Sequence, residues 1–123
     1  GESSSLSSIE SRRDILSNLI EANFLYQLKK YKKALEKYVE ILQRFGSKAP
    51  VSVRMGLGLC YYKLHQNEKA QLCFERVLEL EPNNIEALVA LAVLGLNAKQ
   101  FKRGMNYVAQ AFQINPKEPR VLA

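Results

Sequence analysis

Apolar residues recur along this chain at intervals of three, four, seven and eight, the spacing of one face of an α-helix. Ala34, Tyr38, Ile41, Leu42 and Phe45 follow it, and so do Ala70, Cys73, Phe74, Val77 and Leu78. Other segments carry a wider stripe. Val53, Leu57, Cys60, Tyr61 and Leu64 make one apolar face, and Met55, Leu59 and Tyr62 make a second. Residues 85–97 are apolar almost all round, as in a helix that is buried or offers an apolar binding surface. No stretch alternates with period two, so no sheet is expected. Narrow and wide helical patterns alternate, and the predicted fold is all-α.

The punctuation agrees. Asn83-Asn84-Ile85-Glu86 reads as a capping box, with Asn83 as the cap and Glu86 reaching back. Asn67 is placed to cap the helix before Ala70. Ser7-Ser8-Ile9-Glu10 is a weaker signal of the same kind, so the first helix can begin ahead of the repeat. Pro82 and Pro116 lack an N–H and end the helices before them.

These patterns repeat. Ala70 to Pro82 aligns with Gly104 to Pro116, and the two prolines stand 34 residues apart. Ala34 to Leu42 aligns with Ala70 to Leu78 at an offset of 36, the two extra residues falling in the turn Gly46 to Pro50. Insertion there costs little. A period of this length means stacked helical hairpins. The units are expected at 15–50, 51–84 and 85–118. Residues 1–14, opening Gly1-Glu2-Ser3-Ser4-Ser5 without a methionine, read as a cloning scar and a flexible or helical lead-in. Residues 119–123 read as the start of a further, truncated helix, so the chain is expected to be a piece of a longer array.

Small residues occupy fixed places in the repeat. Ala22, Gly58 and Ala92 share one position, and Ala34, Ala70 and Gly104 share another. A glycine inside a helix costs ~1 kcal/mol relative to alanine, so it needs a packing reason. Two antiparallel helices joined by a short turn approach closely only across small side chains. Tyr38, Phe74 and Val108 then wedge beside them, as do Tyr31 and Phe101.

With Leu57, Gly58, Tyr61, Ala70, Phe74 and Pro82 in place, the chain resembles the tetratricopeptide repeat (TPR) family over about residues 15–118. It departs from the pattern at Arg54, where a tryptophan is usual, and at Asn67, Gly95 and Val108, where aromatics are common. Unit one also lacks the closing proline. The resemblance implies an α-α superhelix, a TPR solenoid of three helical hairpins, whose concave surface is lined by the first helix of each unit. A closer resemblance runs through Arg54 to Cys60, Lys63-Leu64, Glu68-Lys69-Ala70, Ala87 to Asn97, Gly104, Ala111-Phe112 and Pro116. These stretches are similar to the large TPR scaffold subunits of the polymerase-associated factor (PAF) transcription elongation complex. That likeness implies PAF-type protein subunits as partners, association with RNA polymerase II, a nuclear location and a link to histone modification.

On this reading the groove is lined by Leu16, Leu19, Ile20, Asn23, Tyr26 and Gln27 from unit one. Unit two supplies Ser52, Met55, Gly56, Leu59, Tyr62 and Lys63, and unit three Glu86, Val89, Ala90, Val93, Leu96 and Asn97. The lining is mostly apolar with a few polar fixing points, suited to a protein segment with aliphatic or aromatic anchors. Gly56 either lets a partner's backbone approach or relieves local crowding. TPR co-chaperones hold a C-terminal carboxylate with a clamp of lysines and asparagines. Here only Asn23 matches it, beside Leu19, Gly56, Glu86 and Ala90, so chaperone-tail binding is not expected.

The composition changes this picture in two places. The 123 residues carry a net charge of +6, and part of the excess is local: Lys29, Lys30, Lys32, Lys33 and Lys37 fall within nine residues. Such a basic patch could meet an acidic protein segment or nucleic acid. Without a recognised nucleic-acid module, direct nucleic-acid contact is the weaker reading beside a solvated helix face. The other place is cysteine. Cys60 and Cys73 are too few for a disulfide framework and favour a reducing compartment. With the single His65 they do not make a four-ligand zinc site.

No constellation of converging titratable groups appears, so no catalytic, metal or cofactor site and no small-molecule substrate is expected. Gly56-Leu57-Gly58 follows no strand and is no phosphate loop. The longest uncharged apolar run, Ala87 to Leu96, has ten residues, about half of a membrane span, so no membrane partner is expected. The remaining alternative is a structural spacer in another TPR scaffold, whose exposed ends would favour self-association.

Overall fold

The computed structural model of the chain describes residues 2–117. Over these residues it has six α-helices and no strand: α1 (Glu2–Gln27), α2 (Tyr31–Phe45), α3 (Val51–Lys63), α4 (Asn67–Leu80), α5 (Ile85–Asn97) and α6 (Phe101–Ile114). A single 3₁₀ turn, Gly46–Lys48, takes up the longer connection after α2. The helix start expected at 119–123 lies outside the described residues. α1 runs unbroken from Glu2, so the lead-in is continuous with the first helix, and Ser7 and Ser8 lie within it rather than at its start.

Helices pack in chain order, α1 on α2, α3 on α4 and α5 on α6, with α2 on α3 and α4 on α5 joining the hairpins into a superhelix. Each hairpin turn is closed in the same way. Lys29, His65 and Lys99 take φ of 63°, 62° and 61°. The following N–H groups of Lys30, Gln66 and Gln100 donate back to the carbonyls of Leu25, Tyr61 and Gly95 at 2.9, 2.9 and 2.8 Å. This is the left-handed helix end that satisfies carbonyls otherwise left without a partner. Glycine is the usual residue in that conformation, and none of the three positions has one.

Two caps differ from expectation. The cap of α5 is Asn84, whose Oδ1 accepts from the Ala87 N–H at 2.9 Å, and not Asn83. The helix begins at Ile85, so only the residue directly before it has the extended backbone that aims a side chain at those N–H groups. Asn67 is the first residue of α4 rather than its cap, and Gln66 precedes it without a side-chain bond. The tight αL turn brings the chain into helix too early for Asn67 to stand outside.

The core falls into two clusters that meet on α3. Val53, Leu57 and Cys60 join Ala22, Ala34, Tyr38 and Ile41. Met55 on the other face joins Ala70, Phe74, Val77, Ala87, Leu91 and Leu94. The two-sided apolar pattern of this helix thus reflects packing against both neighbours. The small residues sit at the crossings. Ala22, Ala34 and Ala70 are fully buried. A Cβ on Gly58 would stand 2.5 Å from Phe74 Cε1, and one on Gly104 would stand 3.0 Å from Leu96 and 3.2 Å from the Ala92 carbonyl. At both ends of the stack an apolar stripe stays exposed: Leu16, Ile20 and Phe24 on α1 with Leu28 in the turn after it, and Phe101, Met105 and Phe112 on α6.

Candidate functional site

The first helices of the three hairpins, α1, α3 and α5, border a common inner surface with two adjoining hollows. The first, of about 300 Å³, is lined by Asn23, Tyr26 and Gln27 of α1, Ser52, Met55, Gly56 and Leu59 of α3, and Glu86 of α5, with Tyr38 of α2 as its floor. The second, of about 180 Å³, is apolar throughout and lined by Leu59, Tyr62, Ala90, Val93 and Leu94, with Phe74 of α4 beneath. Leu59 borders both. Two roomier depressions, at 65–69 and 99–106, are each built from one turn and the helix start after it. Of these four hollows among the described residues, the inner pair joins several hairpins.

The floor is polar at one point. Tyr38 is almost fully buried, and its hydroxyl donates to Asn23 Oδ1. Burial, with Cys60 and Tyr26 nearby, pushes the Tyr38 phenol up to about 12, so it stays neutral and keeps that bond. The bond ties Asn23, which lines the hollow, to its floor. Tyr26 is raised above its ordinary value by burial first and by Tyr31 second. The Tyr26 and Tyr31 rings meet edge-on at 5.3 Å.

The expected lining is brought together in part. Asn23, Tyr26, Gln27, Ser52, Met55, Gly56, Leu59 and Glu86 gather at the first hollow, and Leu59, Tyr62, Ala90 and Val93 at the second. Leu16, Leu19, Ile20, Lys63, Val89, Leu96 and Asn97 border neither. Leu16 and Ile20 continue into the exposed stripe on α1. Leu19 packs against the first core cluster, and Leu96 lies against Gly104. Lys63 swings over the Tyr31 ring, its Nζ 5.9 Å from the centroid. Its flexible stem lets the ammonium reach a ring across the hairpin joint. Asn97 donates to the Tyr62 hydroxyl at 3.5 Å.

Gly56 borders the first hollow with the Tyr38 ring packed against it. A Cβ built there would run into the Tyr38 ring, 2.6 Å from Cε1 and 2.8 Å from Cε2. The glycine makes room for Tyr38, as the crowding reading expects. Met55 is likewise buried, 4% exposed, and belongs to the core as much as to the wall. Tyr38, Phe74 and Leu94 were missed as site residues. The signal for the first two was present: each faces a glycine on α3, and where a first helix carries no side chain the ring behind it reaches the inner surface.

The basic patch loses a member. Lys37 Nζ lies 3.2 Å from Glu21 and 3.5 Å from Glu40, and its ammonium is raised above the ordinary value chiefly by the hydrogen bond to Glu21. Lys29, Lys30, Lys32 and Lys33 stay exposed around the first hairpin turn. Both cysteines are free. Burial pushes Cys60 up to about 12 and also raises Cys73, against the opposing pull of Arg54, so both thiols are held protonated. His65 is exposed in its turn. Among the described residues no group of three or more His, Cys, Asp or Glu is placed to hold a metal, and no helix is long and apolar enough to cross a membrane.

The tetratricopeptide repeat model matches residues 51–84. "Protein CTR9 homolog" of Arabidopsis thaliana is 41% identical over 99 residues, 78% of this chain and 9% of that protein. "RNA polymerase-associated protein CTR9" of Saccharomyces cerevisiae is 32% identical over 97 residues, 79% and 9% respectively. "Anaphase-promoting complex subunit CDC16" of the same yeast is 30% identical over 96 residues, 76% and 11%. The chain therefore spans about a tenth of the length of these relatives. Among solved structures, the first TPR of Spaghetti (RPAP3) bound to an HSP90 peptide matches with a TM-score of 0.81 at 11% identity, covering 89% of this chain and 86% of that one. The P58(IPK) TPR domain matches at 0.80 and 18% identity, covering 95% and 33%. These structural likenesses carry the superhelical fold.

Proposed function

From a chain that carries the tetratricopeptide repeat and folds as a superhelix of three such hairpins, we propose a non-catalytic scaffold that holds a protein segment along its inner surface. The observation that supports this most is the pair of adjoining hollows on α1, α3 and α5, one polar at its floor and one wholly apolar. Together they offer anchor points from all three hairpins. The Tyr38 phenol at the floor of the first hollow, and the Cys60 thiol in the core cluster behind it, are pushed toward their neutral forms, which suits a binding surface better than a proton-transfer site.

The assembly we infer is a PAF-type elongation complex on RNA polymerase II, in the nucleus, with histone modification as the linked process. Its support is the 41% identity over 99 residues to a CTR9 homolog and 32% to the yeast RNA polymerase-associated protein. The identity to CDC16 supports a second setting, scaffolding in an anaphase-promoting complex. The four exposed lysines at the first turn support a further reading, direct RNA or DNA contact. It ranks lower because Tyr31, which could stack on a base, is already covered by Tyr26 and Lys63.

The test is a pull-down from nuclear extract with the wild-type chain and a Leu59→Glu, Val93→Glu variant, both checked for unchanged helical circular dichroism. Recovery of PAF-complex subunits by the wild type alone is the expected result. Recovery of anaphase-promoting complex subunits instead favours the second setting. Equal recovery by both proteins rejects the inner surface as the docking face.

A further inference from the structure

The chain carries a net charge of +6, yet among the nine residues of the polar hollow Glu86 is the only side chain charged at neutral pH. It stands in the first turn of α5. The five ion pairs among the described residues engage Glu21, Glu40, Asp14, Glu79 and Glu75, and Glu86 enters none of them. Its neighbours Asn23, Gln27 and Ser52 are neutral hydrogen-bonding groups, fit to meet the amides of a peptide chain. A segment that covers this hollow takes the Glu86 carboxylate out of water. An unpaired carboxylate there is costly, and of the groups a segment can bring, a cation offsets that loss most strongly.

Along α5, Glu86 is followed after one turn by Ala90 and after two by Val93, which line the apolar hollow. At 1.5 Å per residue they lie about 6 and about 10 Å from Glu86 along the helix axis. An extended chain advances about 3.3 Å per residue and covers that distance in two to three residues. We propose that the segment held here carries a lysine or arginine that pairs with Glu86, and a leucine, isoleucine or methionine two or three residues away that fills the apolar hollow. This rests on the inner surface being the docking face and adds the chemistry of its ligand. The two hollows then select opposite properties in one short segment, the reverse of a site built for an acidic tail.

The test uses an array of randomised twelve-residue peptides with blocked ends, probed with the whole chain as wild type, Glu86→Gln and Val93→Glu. Glutamine keeps the size and hydrogen-bonding reach of glutamate and removes only its charge. Peptides kept by the wild type should be enriched in Lys or Arg at that spacing from an aliphatic residue. Glu86→Gln should weaken them by about tenfold, as expected for one charge-assisted contact. Replacing the peptide cation by glutamine should leave the two proteins binding alike. Retained peptides rich in Asp or Glu, or undiminished binding to Glu86→Gln, would overturn the pairing while leaving the docking face intact. Peptides retained equally by Val93→Glu, or none retained by any of the three proteins, would overturn the docking face and the pairing with it.

Discussion

Replacing Gly56 with alanine places a methyl group against the tightly packed Tyr38 ring. The new Cβ stands 2.6 and 2.8 Å from Tyr38 Cε1 and Cε2, and closer still to Cζ, where ordinary contact begins at 3.4 Å. The ring must retreat by close to an ångström. It is 2% exposed, packed among Ala22, Ala34, Ile41, Val53, Leu57 and Cys60, and bonded through its hydroxyl to Asn23. Overpacking of this kind costs ~1–3 kcal/mol. A displaced hydroxyl forfeits a hydrogen bond worth ~1 kcal/mol. Against these, alanine is better than glycine inside a helix by ~1 kcal/mol. The net loss is therefore about 2 kcal/mol, a fall in Tm of roughly 6–10 °C for a domain of this size. Urea unfolding followed by circular dichroism measures it, and a double-mutant cycle isolates its cause. Tyr38→Ala alone costs ~3–5 kcal/mol. In that background the obstacle is gone, so Gly56→Ala should be neutral or stabilising, giving a coupling of about 2–3 kcal/mol. The same loss in both backgrounds refutes the steric account.

Three further outcomes are expected. Asn84→Ala should cost about 1 kcal/mol through loss of the α5 cap while Asn83→Ala stays near neutral, read by thermal melts of the two variants. Lys99→Gly should raise stability by about 0.5–1 kcal/mol in urea titration, because glycine takes φ of 61° without the steric cost a side chain carries. Stability should also fall as pH rises between 9 and 12. In that window the unfolded chain releases protons from Cys60 and then Tyr38, while the fold, which raises both to about 12, retains them. Below pH 9 both states are protonated and this contribution is present in full; Cys60→Ala should flatten the decline in Tm seen across the window.

The hairpins were legible because each is specified several times over. Apolar spacing, small residues at the crossings and the 34-residue period all point to the same helices, and residues 70–82 and 104–116 show it twice. The two apolar faces of α3 could be read as well, since a helix between two neighbours has to bury both. What escaped depends on one residue's backbone or on one long side chain. Asn83 and Asn84 are the same residue type, and only the φ and ψ just before Ile85 choose between them. Lys37 reads as one lysine of five until folding brings Glu21 from the other helix of the hairpin beside it. Lys63 occupies a groove register, but its ammonium reaches Tyr31 instead. The groove floor was hidden for a related reason: a glycine marks a close approach without saying which ring fills the space, and here Tyr38 and Phe74 fill it from the second helices.

A photo-crosslinking amino acid placed in turn at Val93, on the apolar hollow, and at Leu72, an exposed apolar position on the second helix of the same hairpin joint, reads directly which wall holds the partner. Mixed with purified PAF-complex subunits, the Val93 probe should join covalently to one subunit and the Leu72 probe to none. Crosslinks that form from Leu72 while Val93 stays silent would put the bound segment on the second helices and contradict docking on the inner surface.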